Sequence, residues 1–301
     1  MPPHAPALES ASSAIVAATG RYAGAAPVFE TPIPRLTLLR SDAPTRPVPA
    51  FYRPSFCLIV QGHKRVVLGD SELSYGAGEY LVAGFDVPLV GAVTRASARE
   101  PYVCVQLTFE RPGVLAVAEA LPNRAPLEPA GVATADPELL SATARLVGLL
   151  DAPRDVDFLA PLYEREVLYR LLSGPLGPAL RRYAYADERT LHVERAIEHL
   201  RATYREPFDL DALLRASGRS RSALYRDFRA ATGTSPLQYR TRLRLQEARR
   251  LMLIERLGSA EAGFAVGYDS PSQMTREYRR LYGRPPVEDV SHARTVVECA
   301  A

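Results

Sequence analysis

"SRSALYRDFRAATGTSP" (220–236) and "SPSQMTREYRRLYGRPP" (270–286) are two versions of one segment. They stand about fifty positions apart, the mark of a duplicated supersecondary unit. Ser220 matches Ser270, Ser222 matches Ser272, Arg226 matches Arg276, Arg229 matches Arg279, Gly233 matches Gly283 and Pro236 matches Pro286. Each copy reads as a helix with its punctuation. The leading serine suits an N-cap, Pro271 suits the first helical position, and the glycine suits a left-handed end. Leu224 with Phe228, and Met274 with Tyr278, make an apolar edge at i,i+4, and Arg226 and Arg276 lie off that edge.

A short helix and a glycine turn precede each copy: LDALLRASG with Gly218, and SAEAGFAVGY with Gly267. Short helix, glycine turn and capped second helix form a helix-turn-helix, whose second helix enters the DNA major groove. One long helix, SPLQYRTRLRLQEARRLML, joins the units, so the pair can address two groove segments on one DNA face. LHVERAIEHLRATY in front supplies a supporting helix through Val193, Ala196, Ile197 and Leu200. A plain helical bundle gives no reason for two capped copies with outward arginines.

Charge agrees with that reading. Residues 181–290 hold 21 arginines against 15 acidic residues, a net of +6, while the remainder holds 16 basic and 19 acidic residues, a net of −3. The asymmetry points to nucleic acid more than the overall +3 does. A chain of 301 residues with 47% hydrophobic and 24% charged composition suggests two globular domains. No apolar run is long enough for a membrane span, and the N-terminus lacks the pattern of a secretory signal. Cys57, Cys104 and Cys299 have no metal-ligand spacing, and an odd count argues against a disulfide framework, so a reducing cytoplasm is expected.

Residues 35–110 are β-rich, with PSFCLIVQG, KRVVLGDSELSYGAGEYLVAG and YVCVQLTFE separated by glycine turns; LGDSEL reads as a hairpin bending at Gly69-Asp70. Several short strands at this spacing suggest a small barrel or sandwich. VLAVAEAL, DPELLSATARLVGLL and PLYEREVLYRLLSG carry helical periodicity. These helices either pack on the barrel or also offer an apolar pair for self-association, and both readings stand. SGPLGPALRRYAYADERT has no clear period and reads as a linker.

Over about 190–290 the chain resembles the AraC/XylS-type double helix-turn-helix domain, through "SRSALYRDFRAATGTSPLQYRTRLRLQEARRLM" and "AVGYDSPSQMTREYRRLYGRPP". Gly263 departs from that pattern, standing where the family keeps a helix-friendly residue. The resemblance implies a cytoplasmic transcription regulator acting near promoters. It places Ser222, Tyr225 and Arg226 at base-reading positions of the first unit, with Arg221 near phosphate, and Ser272, Gln273 and Arg276 in the second. Arginine pairs with guanine and glutamine with adenine in two-point fashion. Arg229, Arg279 and Arg280 suit phosphate contacts or structural ion pairs.

"RPSFCLIVQGHKRVVLGDSELSYGAGEYLVAGFDVPLVGAV" resembles the N-terminal domain of one AraC-type subgroup, marked by Pro54, Cys57, Gln61, Gly62 and Lys64. That implies a cupin-like, ligand-sensing barrel. The barrel region offers His63 alone and no His-x-His, so neither metal nor catalysis is expected. Strand alternation puts Cys57, Ile59 and Gln61 on one face, while His63 and Lys64 read as loop residues.

VTRASAREP (93–101) sets Arg95 and Arg99 four apart, with Thr94 and Ser97 as added donors. Arg-x-x-x-Arg resembles the phosphate-gripping half of PilZ-type cyclic di-GMP receptors, and planar guanidiniums suit phosphate. The second PilZ element is incomplete: DVPLVG (86–91) has Pro88 where serine is expected. The pair is therefore read either as surface charge or as a clamp for cyclic di-GMP.

The expected architecture is α+β in two domains: a cupin-like β-barrel with packed helices over 1–172 and an all-α double helix-turn-helix over 190–290. A linker over 173–189 and a tail over 291–301 complete it. The expected function is a non-enzymatic DNA-binding regulator without cofactor, gated by an effector at Thr94, Arg95 and Arg99. The alternatives are a small carbonyl, aromatic or redox signal near Cys57 and Gln61, or ligand-independent action. Double-stranded DNA is the expected partner, with RNA polymerase and a second copy as further candidates and no membrane.

Overall fold

A computed structural model describes residues 5–24, 26–68, 71–84, 86–121, 130–185 and 188–291. The strands are β1 (Val28–Glu30), β2 (Leu36–Ser41), β3 (Val48–Tyr52), β4 (Ser55–Gln61), β5 (His63–Leu68), β6 (Ser71–Gly76), β7 (Glu79–Ala83), β8 (Val87–Arg95), β9 (Tyr102–Thr108) and β10 (Ala130–Thr134). They form two antiparallel sheets, one ordered β1-β2-β9-β4-β7-β10 and the other β3-β8-β5-β6. Leu68 pairs with Ser71 in the β5–β6 hairpin; its bend at Gly69-Asp70 lies outside the described residues.

The run SFCLIVQ in β4 is buried on both faces. Phe56, Leu58 and Val60 join a core with helix residues Ile15, Leu139, Leu146 and Leu171. Cys57 and Ile59 join a second core with Val66, Tyr75 and Leu89. A strand covered on both sides reads as a continuous apolar run. The covering helices are α1 (Ala5–Ala23), α2 (Arg111–Ala118), α3 (Pro137–Gly148), α4 (Val156–Ser173) and α5 (Gly177–Ala184).

Three expectations are corrected here. The stretch 173–189 is not an aperiodic linker, because it contains α5, whose Leu180 is fully buried and whose Arg181 donates to the Leu172 carbonyl at 2.9 Å. Its Gly-Pro pair stands at a helix start, where proline is tolerated. Lys64 and His63 are not loop residues; both lie on β5. The β4–β9 ladder shifts register between Ile59 and Gln61, which breaks the expected common face with Cys57. Gln61 instead donates Nε2 to the Pro101 carbonyl at 2.8 Å.

The C-terminal helices are α6 (Glu188–Thr203), α7 (Leu210–Ser217), α8 (Arg221–Thr232), α9 (Pro236–Ile254), α10 (Ser259–Ala265) and α11 (Pro271–Tyr282). The first helix-turn-helix is α7–α8 and the second α10–α11, with α9 between. The two units belong to different cores. Leu213, Leu224, Phe228 and Tyr239 share the core of the sheet interior, whereas Leu245, Ala262, Met274 and Tyr278 make a core of their own.

Candidate DNA-reading surface and sheet interior

Both second helices start and stop as their sequences require. Ser220 and Ser270 occupy the N-cap positions with extended backbone, although neither hydroxyl bonds a helix amide. Gly233 and Gly283 end the helices at φ 70° and 77°, in the left-handed region glycine favours. The apolar edges are fully buried: Leu224, Phe228, Met274 and Tyr278 are each 0% exposed.

That burial turns the opposite faces outward. Arg221, Ser222 and Arg226 are exposed on α8, and Tyr225 is half-buried with the Arg221 guanidinium 5.8 Å from its ring centre. Arg226 leans on Asp227 at 3.1 Å but keeps 69% of its side chain exposed. On α11, Ser272, Gln273 and Arg276 are exposed, and Gln273 donates to Glu277 at 3.2 Å. Glu277 also accepts from the Tyr268 hydroxyl at 2.6 Å, which fixes the carboxylate beneath the reading face.

The connecting helix carries features the sequence reading passed over. Ser235 and Gln238 close a reciprocal capping box at the start of α9. Arg244 reaches back to the end of α6, donating to the carbonyls of Tyr204 at 2.5 Å and of Arg205 and Glu206 at 2.9 Å. Arg240 also donates to the Glu206 carbonyl. Together they supply donors for carbonyls left without helical partners. Burial lowers the Arg240 pKa to about 10 and lowers that of Arg244. Gly267, at φ 90°, packs against this junction so closely that a Cβ there would lie 1.9 Å from the Arg205 oxygen. The signal was present as two arginines four apart on an otherwise apolar helix face.

The reader rests on the β-domain through the segment 86–91. Asp86 pairs with Arg201 at 3.0 Å, and its carbonyl accepts from the Tyr239 hydroxyl at 3.3 Å. Arg242 donates to the Pro88 carbonyl at 3.2 Å. Tyr239, fully buried, meets Phe51 edge-on at 5.0 Å and Phe228 at 5.4 Å. Burial raises the Asp86 pKa against the pull of Arg201. The DVPLVG stretch is thus a domain contact, and its aspartate already has a cation.

Thr94, Arg95 and Arg99 are exposed at the end of β8 and in the turn that follows, where the Ser97 amide donates to the Glu100 carbonyl at 2.9 Å. Thr94 Oγ1 lies 2.8 Å from His63 Nδ1. Neither arginine forms an ion pair among the described residues. Cys57 and Cys104 lie elsewhere, buried between the sheets, with Lys64 Nζ donating to the Tyr52 hydroxyl at 2.5 Å. The ligand candidates therefore divide into an outer group, Thr94–Arg99, and an inner one at Cys57, with Gln61 at the rim. Among the described residues no three His, Cys, Asp or Glu side chains gather as a metal site.

Residues 32–179 match the model of the AraC-type transcriptional regulator N-terminus, and residues 213–289 match a helix-turn-helix domain. The chain belongs to the AraC-type transcriptional regulators. It is 32% identical over 90 residues to the HTH-type transcriptional regulator GlxA of Rhizobium meliloti (strain 1021), a segment covering 30% of this chain and 28% of that protein. It is 36% identical over 73 residues to a putative AraC-like transcription regulator of Streptomyces lividans, covering 24% of each. The chain therefore matches under a third of either curated relative. The two-domain fold is shared over most of the chain: apo ToxT of Vibrio cholerae, as a point variant, superposes with a TM-score of 0.59 at 11% identity, over 85% of this chain and 97% of that one. Wild-type ToxT bound to an unsaturated fatty acid superposes with a TM-score of 0.55 at 9% identity, over 84% and 94% of the two chains.

Proposed function

We propose that this chain is a cytoplasmic, sequence-specific DNA-binding transcription regulator whose β-domain senses a small effector. The observation that carries the reading is the pair of exposed faces, Ser222/Arg226 on α8 and Ser272/Gln273/Arg276 on α11, held on one helix. In this reading Tyr225 joins Ser222 and Arg226 as a base-reading residue, with Arg221 near phosphate. No helix among the described residues is long and apolar enough to cross a membrane. Selection of bound fragments from random DNA, followed by titration of Arg226→Ala and Arg276→Ala, tests it. Each variant is expected to lose ~1–3 kcal/mol of specific binding and to relax preference at its own base positions. Equal losses on every sequence would reduce both arginines to phosphate contacts.

The effector reading tested first is cyclic di-GMP at Thr94, Arg95 and Arg99, supported by two exposed guanidiniums beside hydroxyl donors. Calorimetric titration of the wild type and of an Arg95→Ala, Arg99→Ala double variant decides it: saturable binding lost in the variant supports the clamp. A second reading, response to a small carbonyl, an aromatic compound or a redox signal at Cys57, draws support from that thiol's place between the sheets. Exposed Phe158, Leu162 and Tyr169 on α4 support a second copy as partner, and a promoter-bound regulator brings RNA polymerase within reach.

A further inference from the structure

The interior between the sheets holds an ammonium with no carboxylate beside it. Lys64 enters from β5, its stem crossing Gly91, where a Cβ would meet Lys64 Cε at 2.9 Å. It donates to the Tyr52 hydroxyl at 2.5 Å. Around it stand Cys57, Cys104, Tyr75 and Tyr102, all under 4% exposed. The Tyr75 hydroxyl is buried with no hydrogen-bond partner among the described residues. An ammonium drawn largely out of water with a phenol as its hydrogen-bond partner calls for an anion. The groups at hand that can supply a negative charge are thiols and phenols, and a thiol ionises at the lower pKa.

The two thiols are neighbours across β4 and β9. Cys104 faces Ile59 and Cys57 faces Gln106, so the cysteines are diagonal on the inward face of adjacent strands. They act on each other directly, and the two respond in opposite directions: contact with Cys57 lowers the Cys104 pKa, with help from Lys64 and Tyr102, while the same contact and burial raise Cys57. Cys104, the thiol next to the break in the β4–β9 ladder, is assigned the attack and Cys57 the resolving step. The β4–β9 ladder breaks one residue beyond the Ile59–Cys104 pair, a bulge that leaves a weak point beside the thiol.

We propose that Cys104, charge-paired with Lys64, and Cys57 form a dithiol site that a small neutral peroxide oxidises to a disulfide, loosening the first helix-turn-helix. This deepens the redox reading of the β-domain and is independent of any nucleotide at Arg95 and Arg99. The Cys104 thiolate attacks one peroxide oxygen, the O–O bond breaks, and the departing hydroxide takes a proton and leaves as water. Cys57 then attacks the sulfenic sulfur, the S–O bond breaks, and the Cys57 proton leaves with the hydroxide as a second water. One peroxide is reduced, two thiols are oxidised, and two waters form.

The route to the reader is a continuous set of contacts. Lys64 bonds Tyr52, the next residue Phe51 packs on Tyr239 of α9, and Tyr239 packs on Phe228 of α8. Thiols and first unit share one core, and the second unit has another. Drawing Sγ of Cys57 and Cys104 into a bond shifts β4 against β9 and removes the anion from Lys64, and both changes reach Tyr52.

The test uses full-length protein carrying Cys299→Ser, so that only these two thiols report. Hydrogen peroxide is added in the presence of reduced glutathione as an internal reference. Expected is loss of two hydrogen atoms per chain, a 57–104 cross-link by peptide mapping, and reversal by dithiothreitol. Hydrogen exchange is expected to rise in α8 and the start of α9 and to stay unchanged in α10 and α11. Lys64→Met should slow oxidation about threefold for each pKa unit the thiol regains above the assay pH, the loss of thiolate being partly offset by its greater nucleophilicity. Cys57→Ser should abolish the cross-link and leave a sulfenic acid on Cys104. Both thiols remaining reduced while glutathione is consumed would overturn the site, and a cross-link with no change in exchange at α8 would overturn its link to the reader. Neither readout needs DNA, so failure of the DNA-binding reading is seen separately, as absence of specific binding by the reduced protein.

Discussion

Replacing Tyr239 with alanine strikes the point where β-domain and reader meet. The ring is fully buried, packs edge-on against Phe51 at 5.0 Å and Phe228 at 5.4 Å, and donates its hydroxyl to the Asp86 carbonyl at 3.3 Å. Truncating a buried aromatic side chain costs ~3–5 kcal/mol through lost transfer energy and the cavity left behind. The two ring pairs are worth ~0.5–1.5 kcal/mol each beyond burial, part of which that range already contains. Tyr239→Phe keeps the rings and loses the hydroxyl, a change of ~1 kcal/mol. Urea unfolding followed by tyrosine fluorescence and by far-ultraviolet circular dichroism is the assay. The wild type should unfold in one transition, because the first reader unit and the sheet interior share a core. Tyr239→Ala should separate the two signals, and Tyr239→Phe should not. A single transition in Tyr239→Ala with a loss under ~1 kcal/mol would refute the claim that this ring couples the domains.

Gly267→Ala should destabilise the second unit by more than ~2 kcal/mol, since φ is 90° and the new Cβ would strike the Arg205 oxygen; thermal denaturation reads it. Ser235→Ala removes one half of a capping box and should cost ~1 kcal/mol in the same assay. Arg279→Ala should reduce the salt slope of DNA binding by ~1, with base preference unchanged.

The reader was legible because its signals are local. Helix starts, left-handed glycines and i,i+4 apolar pairs act within a dozen residues; the glycines and apolar pairs reappear in α8 and α11, and Ser220 and Ser270 hold the N-cap positions without bonding a helix amide. The inner site was less so. Gln61 left the face of Cys57 because one bulge shifts every later side chain, and a bulge leaves no single-residue mark in SFCLIVQG. Lys64 read as a loop residue because Gly62 lies two positions before it, yet that glycine makes the tight turn that delivers β5 into the sheet, at φ 87°. The i,i+4 spacing of Arg240 and Arg244 was visible, but their acceptors at the end of α6 lie more than thirty residues away, where no local pattern names them. Helix α1 drew no reading, since it acquires its partner only when Ile15 meets the strands and helices that follow it.

The 19-residue α9 is a ruler as well as a link. At ~1.5 Å per residue it measures ~28 Å, somewhat short of the ~34–36 Å between successive major-groove faces of straight B-form DNA. Its first half cannot drift, because Arg240 and Arg244 tie it to the end of α6. A regulator built this way has no play in spacing. Inserting half a turn of DNA between its two contact segments turns one of them to the opposite side of the duplex. Inserting a full turn restores the facing but doubles the distance, which a rigid helix cannot stretch to meet. Its operators are then defined by the gap between two short words as strictly as by the words themselves.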